Sequence, residues 1–279
     1  MGVETAISWT DATWNVARGC TKVDEDCKYC YMYRESLNNT RYNPKAVERT
    51  KTVFNLPLRL KEPQRVFTSS LTDFFHEAID PFRYECFDII RRCPHLTFQL
   101  LTKRPERIHD ALRNAYDEAH WYNLPELGNM MFDWKNGRMP KNVWLGTSIG
   151  SQSSIQRLFD LLSLAAPRDG GVYFLSLEPM HGEIILPLDE EVDFGPKVKD
   201  LLKWVIIGGE SGNENGMYRY RPCRLEWIEN LVDQCQTAGI AVFVKQLGTH
   251  IAKELGLKHR HGADPSEWPE HLRVQQFPV

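Results

Sequence analysis

The chain has 279 residues, of which 42% are apolar or aromatic and 25% are charged, and its formal net charge is −3. That balance fits a soluble globular enzyme of one large or two ordinary domains, and it excludes a global basic field for nucleic acid. Met1–Trp14 lacks the basic and apolar regions of a secretory signal, and no apolar run approaches the roughly 20 residues of a membrane helix.

A cytoplasmic protein is therefore expected, with no role at a membrane. Its seven cysteines are an odd number in a reducing compartment and do not suggest a disulfide framework.

The first expected strand lies around Thr13–Arg18. Later apolar runs are Val66–Ser70, Thr97–Lys103, Val143–Ile149, Val172–Glu178, Trp204–Glu210 and Ala241–Gln246. Most are continuous rather than alternating, as strands buried on both faces are. Between them, Phe82, Cys86, Ile89, Ile90 and Cys93 share a helix face. So do Ile155, Leu158, Leu161 and Leu162, and also Leu225, Ile228, Leu231, Val232 and Cys235, with Gly239 as a stop. Cys86, Cys93 and Cys235 are thus expected in the core. The alternation predicts an α/β fold, a partial or complete parallel (β/α) barrel, with an open doubly wound sheet as the alternative.

Residues 1–250 form the expected barrel, with insertions at about 31–65 and 114–141. The second insertion contains Trp121 and Trp134 and reads as a lid. Residues 251–279 are a polar, weakly patterned C-terminal extension.

In a parallel barrel the site gathers at the C-terminal ends of the strands. Those ends carry Ser69-Ser70 with Asp73 nearby, Thr102-Lys103-Arg104, Ser148, Glu178, Glu210 and Lys245-Gln246. Glu210, Lys245 and Gln246 are the candidate catalytic groups. Gly208 and Gly209 end a strand and allow close backbone approach to a ligand.

Cys20, Cys27 and Cys30 place three thiols within eleven residues. Gly19 permits a tight approach, and Asp24, Glu25 and Asp26 suit an exposed loop. Clustered thiolates favour soft metals and iron–sulfur clusters. A structural zinc site wants four ligands, so zinc would need His76 or Cys93 to arrive through the fold. Three thiolates on a [4Fe–4S] cubane leave one iron open to bind a small molecule. Unligated core cysteines are the third alternative.

Cys27-x-aromatic-Cys30 matches the second half of the radical S-adenosylmethionine (SAM) signature, with six residues rather than three before Cys27. A wider likeness runs through Ser8–Asn15, the cysteine loop, Phe67–His76, Leu101–Pro105, Trp144–Ser148, Leu175–Pro179, Val205–Gly212 and Lys245-Gln246. In these blocks the chain resembles the phage-associated three-Cys-motif family of phages and bacteria. That family is a divergent radical-SAM branch, distantly similar to spore photoproduct lyase. The resemblance implies a [4Fe–4S] cluster on the three cysteines, SAM as cofactor, and a flavodoxin- or ferredoxin-like electron donor. It also implies a bacterial or phage-infected cell, and a partner protein is compatible with it. By the same resemblance, Ser69, Ser70 and Asp73 contact the methionine amino group of SAM, and Tyr29 borders adenine. Lys103 or Arg104 pairs with the methionine carboxylate. Ser148 and Glu178 reach the ribose or the methionine end.

Two segments bear on the substrate. Arg41, Lys45, Arg49, Lys51, Arg59, Lys61 and Arg65 crowd one stretch, and Tyr218-Arg219-Tyr220-Arg221 interleaves aromatics with guanidiniums. Such mixtures suit phosphate pairing and base stacking, so DNA, RNA or a nucleotide is an expected substrate. A small metabolite or peptide substrate, or a non-catalytic metal-binding role, is the alternative.

Overall fold

The computed structural model describes residues 5–33, 43–165 and 170–278. Seven strands form one parallel sheet. They are β1 (Ala12–Trp14), β4 (Arg65–Thr68), β5 (Thr97–Thr102), β6 (Val143–Ser148), β7 (Val172–Met180), β8 (Leu202–Gly209) and β9 (Ala241–Gln246), paired in chain order. A doubly wound sheet would reverse its strand order part-way. This one does not, so its connections all run in one direction and the sheet curls into a half-barrel. Two short strands, β2 (Ala17–Arg18) and β3 (Glu48–Arg49), form a separate antiparallel ladder. The expected first strand is thus divided: Ala12–Trp14 joins the main sheet and Ala17–Arg18 leaves it.

Both faces of the sheet are buried, by different partners. Val143 and Leu145, Tyr173 and Leu175, Val205 and Ile207, and Val242 and Val244 join the outer core. That core includes residues of α1 (Asp80–Arg92), α2 (Ile108–Trp121), α3 (Pro125–Lys135), α4 (Gln156–Leu162) and α6 (Leu225–Thr237). Cys86, Cys93 and Cys235 belong to it, as their helical spacing predicts. A short α5 (Val198–Leu201) precedes β8, and α7 (Gly248–Glu254) follows β9.

Alternate residues point inward, since strand side chains have period two. Phe67, Phe174, Trp204 and Phe243 form an inner cluster with Trp9, and Trp144 and Phe277 pack against it. Trp204 is the hub, with ring centroids 5.5–6.2 Å from Trp9, Trp144, Phe174, Phe243 and Phe277. Two or four residues further along the same strands, the same parity brings up Ser69, Lys103, Ser148, Ser176, Glu178 and Lys245, all of which line a cavity. One end of the half-barrel is therefore an aromatic floor and the other a polar mouth.

The C-terminal extension is part of this arrangement. Val244 N donates to Val274 O (2.8 Å) and Gln276 N to Val242 O (2.9 Å), which covers the free edge of β9. Phe277 enters the floor, with the Arg65 guanidinium 3.9 Å from its ring centroid. The expected lid at 114–141 is instead helical, in α2 and α3. Both pack against α1, Trp134 is buried, and none of their residues lines the cavity. No helix among the described residues is long and apolar enough to cross a membrane.

Trp204→Ala removes the hub of the floor and should cost about 3–5 kcal/mol, as truncation of a buried tryptophan does. Urea unfolding measures this. A loss under about 1 kcal/mol would show that the floor does not hold the two sheet ends together.

Candidate metal centre and active-site cavity

The cysteine loop leaves the sheet through Gly19, whose φ is +103°. A Cβ there would lie 2.1 Å from Ala46 O, so only glycine fits. Cys20 N then donates to Pro44 O (2.8 Å), and Tyr33 Oη donates to Cys20 O (2.5 Å).

The strongest anchor of the loop is Asp26, expected in an exposed segment but buried here. Its carboxylate accepts from Gly150 N (3.1 Å), Ser154 Oγ (2.8 Å), Arg157 Nη1 (2.8 Å) and His181 Nε2 (2.7 Å). Burial pushes the Asp26 carboxyl upward. The His181 bond, the Lys103 charge, Ser154 and Arg157 outweigh it and hold the group far below the ordinary carboxylate range. Arg157 also donates to Asp24 and to Ser148 O (3.0 Å). One guanidinium thus ties Asp24 and Asp26 to the end of β6.

Cys20, Cys27 and Cys30 border one cavity of about 470 Å³, whose walls include Tyr29, Ser69, Asp73, Lys103, Glu178 and Lys245. Burial first, then the Asp73 charge, pushes the Cys20 thiol up to about 11 against the offsetting charge of Arg104. Burial also raises Cys30. Metal capture at these thiols must therefore release protons.

The two candidate fourth ligands for zinc are occupied elsewhere. His76 Nδ1 accepts from Ala78 N (3.1 Å) while Nε2 meets Thr21 Oγ1 (2.9 Å), and Cys93 lies in the outer core. Among the described residues no group of three or more Cys, His, Asp or Glu is gathered closely enough to hold a single metal ion.

The other expected site residues divide into those that line the cavity and those that do not. Ser70, Arg104 and Glu210 join the walls already named, together with Ser148 and Tyr218. Asp73 is fully engaged: it accepts from Thr102 Oγ1 (2.7 Å), Phe75 N (2.9 Å), Lys103 N (2.8 Å) and Arg104 Nη1 (3.2 Å). Arg104 reaches on to Thr21 O (2.9 Å) and Cys20 Sγ (3.9 Å), so it braces the cysteine loop. Lys103 Nζ instead bonds the Ser148 hydroxyl and is the cation better placed for an incoming anion. Lys245 Nζ contacts both Glu178 oxygens (2.6 and 2.8 Å). Tyr31 donates to Ser70 O, and Ser70 Oγ to Asn15 Oδ1 (3.2 Å).

Gln246 and Gly209 fall on the other parity. Gln246 Nε2 donates to Gly209 O (2.8 Å), and a Cβ on Gly209 would lie 2.2 Å from Leu247 O. Gly209 thus admits a neighbouring backbone rather than a ligand, and Gly208 packs beneath the Glu178 side chain.

Arg221 is an internal strut. It grips Glu210 through Nε and Nη2 (both 2.8 Å) and donates from Nη1 to Glu25 O (2.7 Å) in the cysteine loop. Arg219 is exposed, and Tyr220 lines a separate groove. In the basic stretch, Arg49 pairs with Glu85 (2.6 Å) and Arg65 with Asp11 (2.9 Å), while Arg41 lies outside the described residues. Those pairs break up the continuous cationic face that the sequence suggests.

A family model described as "Protein of unknown function (DUF5131)" matches residues 4–272. The chain belongs to the DUF5131 family. No curated protein and no solved structure matches it. Membership in DUF5131 assigns no activity, so function rests on the cavity.

Asp26, Arg157, His181 and Asn15 were not legible as functional residues. Asp26 and Arg157 are 131 positions apart, and nothing in either segment signals the other.

Asp26→Ala leaves His181 without its carboxylate and Arg157 with Asp24 alone, and should cost roughly 3–5 kcal/mol in urea unfolding of the metal-free protein. Wild-type stability in that variant would contradict the anchoring role. Glu210 and Arg221 should behave as a unit. Arg221→Ala alone should destabilise more than the Glu210→Gln/Arg221→Ala double variant, because only the single change strands a buried carboxylate. Additive losses across that double-mutant cycle would show that the pair is not coupled.

Proposed function

We propose that this chain is a radical SAM enzyme whose [4Fe–4S] cluster is held by Cys20, Cys27 and Cys30. The observation that carries this reading is that all three thiols border one cavity at the polar mouth of a curled parallel sheet. The donor set fits, being soft and limited to three. The walls fit as well. Ser69 Oγ, Thr72 Oγ1 and Trp9 Nε1 all belong to cavity-lining residues and are buried without a hydrogen-bond partner, which is costly unless a ligand serves them. Ser69 also holds a φ of +71°, a strained setting for a non-glycine residue and one that recurs at ligand sites. When bound, such a cluster and SAM together supply a 5′-deoxyadenosyl radical able to abstract a hydrogen atom from a substrate.

The chain's own residues have distinct tasks in this reading. Ser69 and Ser70 hold the methionine end of SAM, and Lys103 pairs with its carboxylate. Asp73 and Arg104 fix the cysteine loop rather than the ligand. Tyr29 borders the adenine. Lys245 and Glu178, joined as an ion pair, face the substrate side and can exchange a proton there. The aromatic floor closes the far end to water, which protects a reactive intermediate from side reactions. A flavodoxin- or ferredoxin-like donor supplies the electron, and reduced thiols suit a cytoplasmic setting.

Anaerobic reconstitution tests the proposal. The protein should take up about four iron and four sulfide per chain and, once reduced, convert SAM to 5′-deoxyadenosine. Cys20→Ala, Cys27→Ala and Cys30→Ala should each lose the cluster, while Cys86→Ala, Cys93→Ala and Cys235→Ala should keep it. A full cluster in any of the first three, or SAM left intact by loaded wild type, rejects the assignment.

A further inference from the structure

A second concavity lies beside the mouth, on the outer side of the loop that carries Tyr218. It has a volume of about 690 Å³, and its walls are Gly212–Asn215 with Tyr220 on one side and α7 with the turn at Gly256–Arg260 on the other. Its charges are uneven. Lys253, Lys258 and Arg260 line it against one carboxylate, Glu214, in a chain whose net charge is −3.

The partners of these cations leave them open to solvent. The Lys253–Glu214 pair is exposed at both ends (48% and 65%), and pairs of that kind contribute little in water. Arg260 donates to the neutral Asn213 Oδ1 (2.9 Å), and Lys258 is exposed. Tyr220 offers a half-buried aromatic face in the same groove, with Lys253 Nζ 5.4 Å from its ring centroid.

The groove adjoins the cavity across one short segment. Ser211 and Tyr218 line the cavity and bond each other (2.9 Å), and Gly212, the next residue, lines the groove. Gly212 N donates to Thr249 Oγ1 (3.2 Å), which ties that segment to α7. A ligand seated in the groove therefore lies one loop away from the cavity.

We propose that this groove binds the backbone of a single-stranded nucleic acid whose target nucleotide enters the cavity. Ammonium and guanidinium groups pair with successive phosphates, and Tyr220 gives an unpaired base a surface to stack on. A strand is favoured over a duplex because a recessed site can act only on a nucleotide that is out of its stack. The proposal rests on the radical SAM reading for what happens inside the cavity, but the groove's binding is measurable without turnover.

The test uses a short fluorescein-labelled oligothymidylate and its ribonucleotide counterpart, with binding to the cluster-loaded protein followed by anisotropy over a salt series. Wild type should bind at least one of them, more weakly as salt rises. Lys253→Gln with Lys258→Gln should weaken binding about tenfold or more at low salt. It should also make the slope of log affinity against log salt shallower by about 1.4, or about 0.7 for each cation lost. Thermal melting should match wild type, because both side chains are exposed. Absence of oligonucleotide binding, or unchanged affinity and slope in the double variant, overturns the proposal. So does equal competition by thymidine monophosphate, which would mark a nucleotide pocket rather than a strand track. If oligonucleotide binding depends on the groove but no 5′-deoxyadenosine forms, the radical SAM reading fails and the groove assignment stands.

Discussion

Side chains of a strand alternate between its two faces, and a curled parallel sheet turns that alternation into inside and outside. The molecule depends on this constraint. On β4 and β6 to β9, inward residues build an aromatic floor, and residues further along the chain line a polar rim. The intervening residues bind the helices. Because floor and rim belong to the same strands, packing of the floor fixes the height and direction of the rim. The chain ends take part: Trp9 and Phe277 fill a floor that seven strands alone leave open.

On that frame the cysteine loop is held by charge rather than by apolar packing. A buried carboxylate is tolerated only when it is paired and hydrogen-bonded. Asp26 meets the condition through four donors from beyond its own loop. Arg104 supports the opposite end near Cys20, and Arg221 reaches Glu25 between them. Three arginines, Arg157 from α4 and Arg104 and Arg221 from strand–helix connections, thus converge on one short loop. Such bracing holds the three thiols at the wall of one cavity.

The same bracing redistributes roles among the charged residues. Asp73, Arg104, Glu210 and Arg221 have the look of ligand-binding groups in sequence, yet each is engaged within the protein. Lys103, Ser69 and the Lys245–Glu178 pair retain a face toward the cavity. The positive groove sits on the other side of a single short loop.

Much of this was legible from the sequence. Apolar runs spaced by helical stripes gave the parallel α/β class, and the clustered thiols marked the loop that borders the cavity. The helical period placed Cys86, Cys93 and Cys235 in the core, and the polar strand ends marked the rim. Sequence could not give the parity of each strand. Where both faces of a sheet are buried, inner and outer residues are alike in hydrophobicity, so Lys245 and Gln246 looked equivalent. Only the curl separated them. Nor could sequence pair Asp26 with Arg157, or bring Lys253 and Lys258 beside Tyr220. Long-range electrostatic contacts leave no periodic trace in a chain, and a buried carboxylate reads the same as an exposed one until the tertiary structure encloses it.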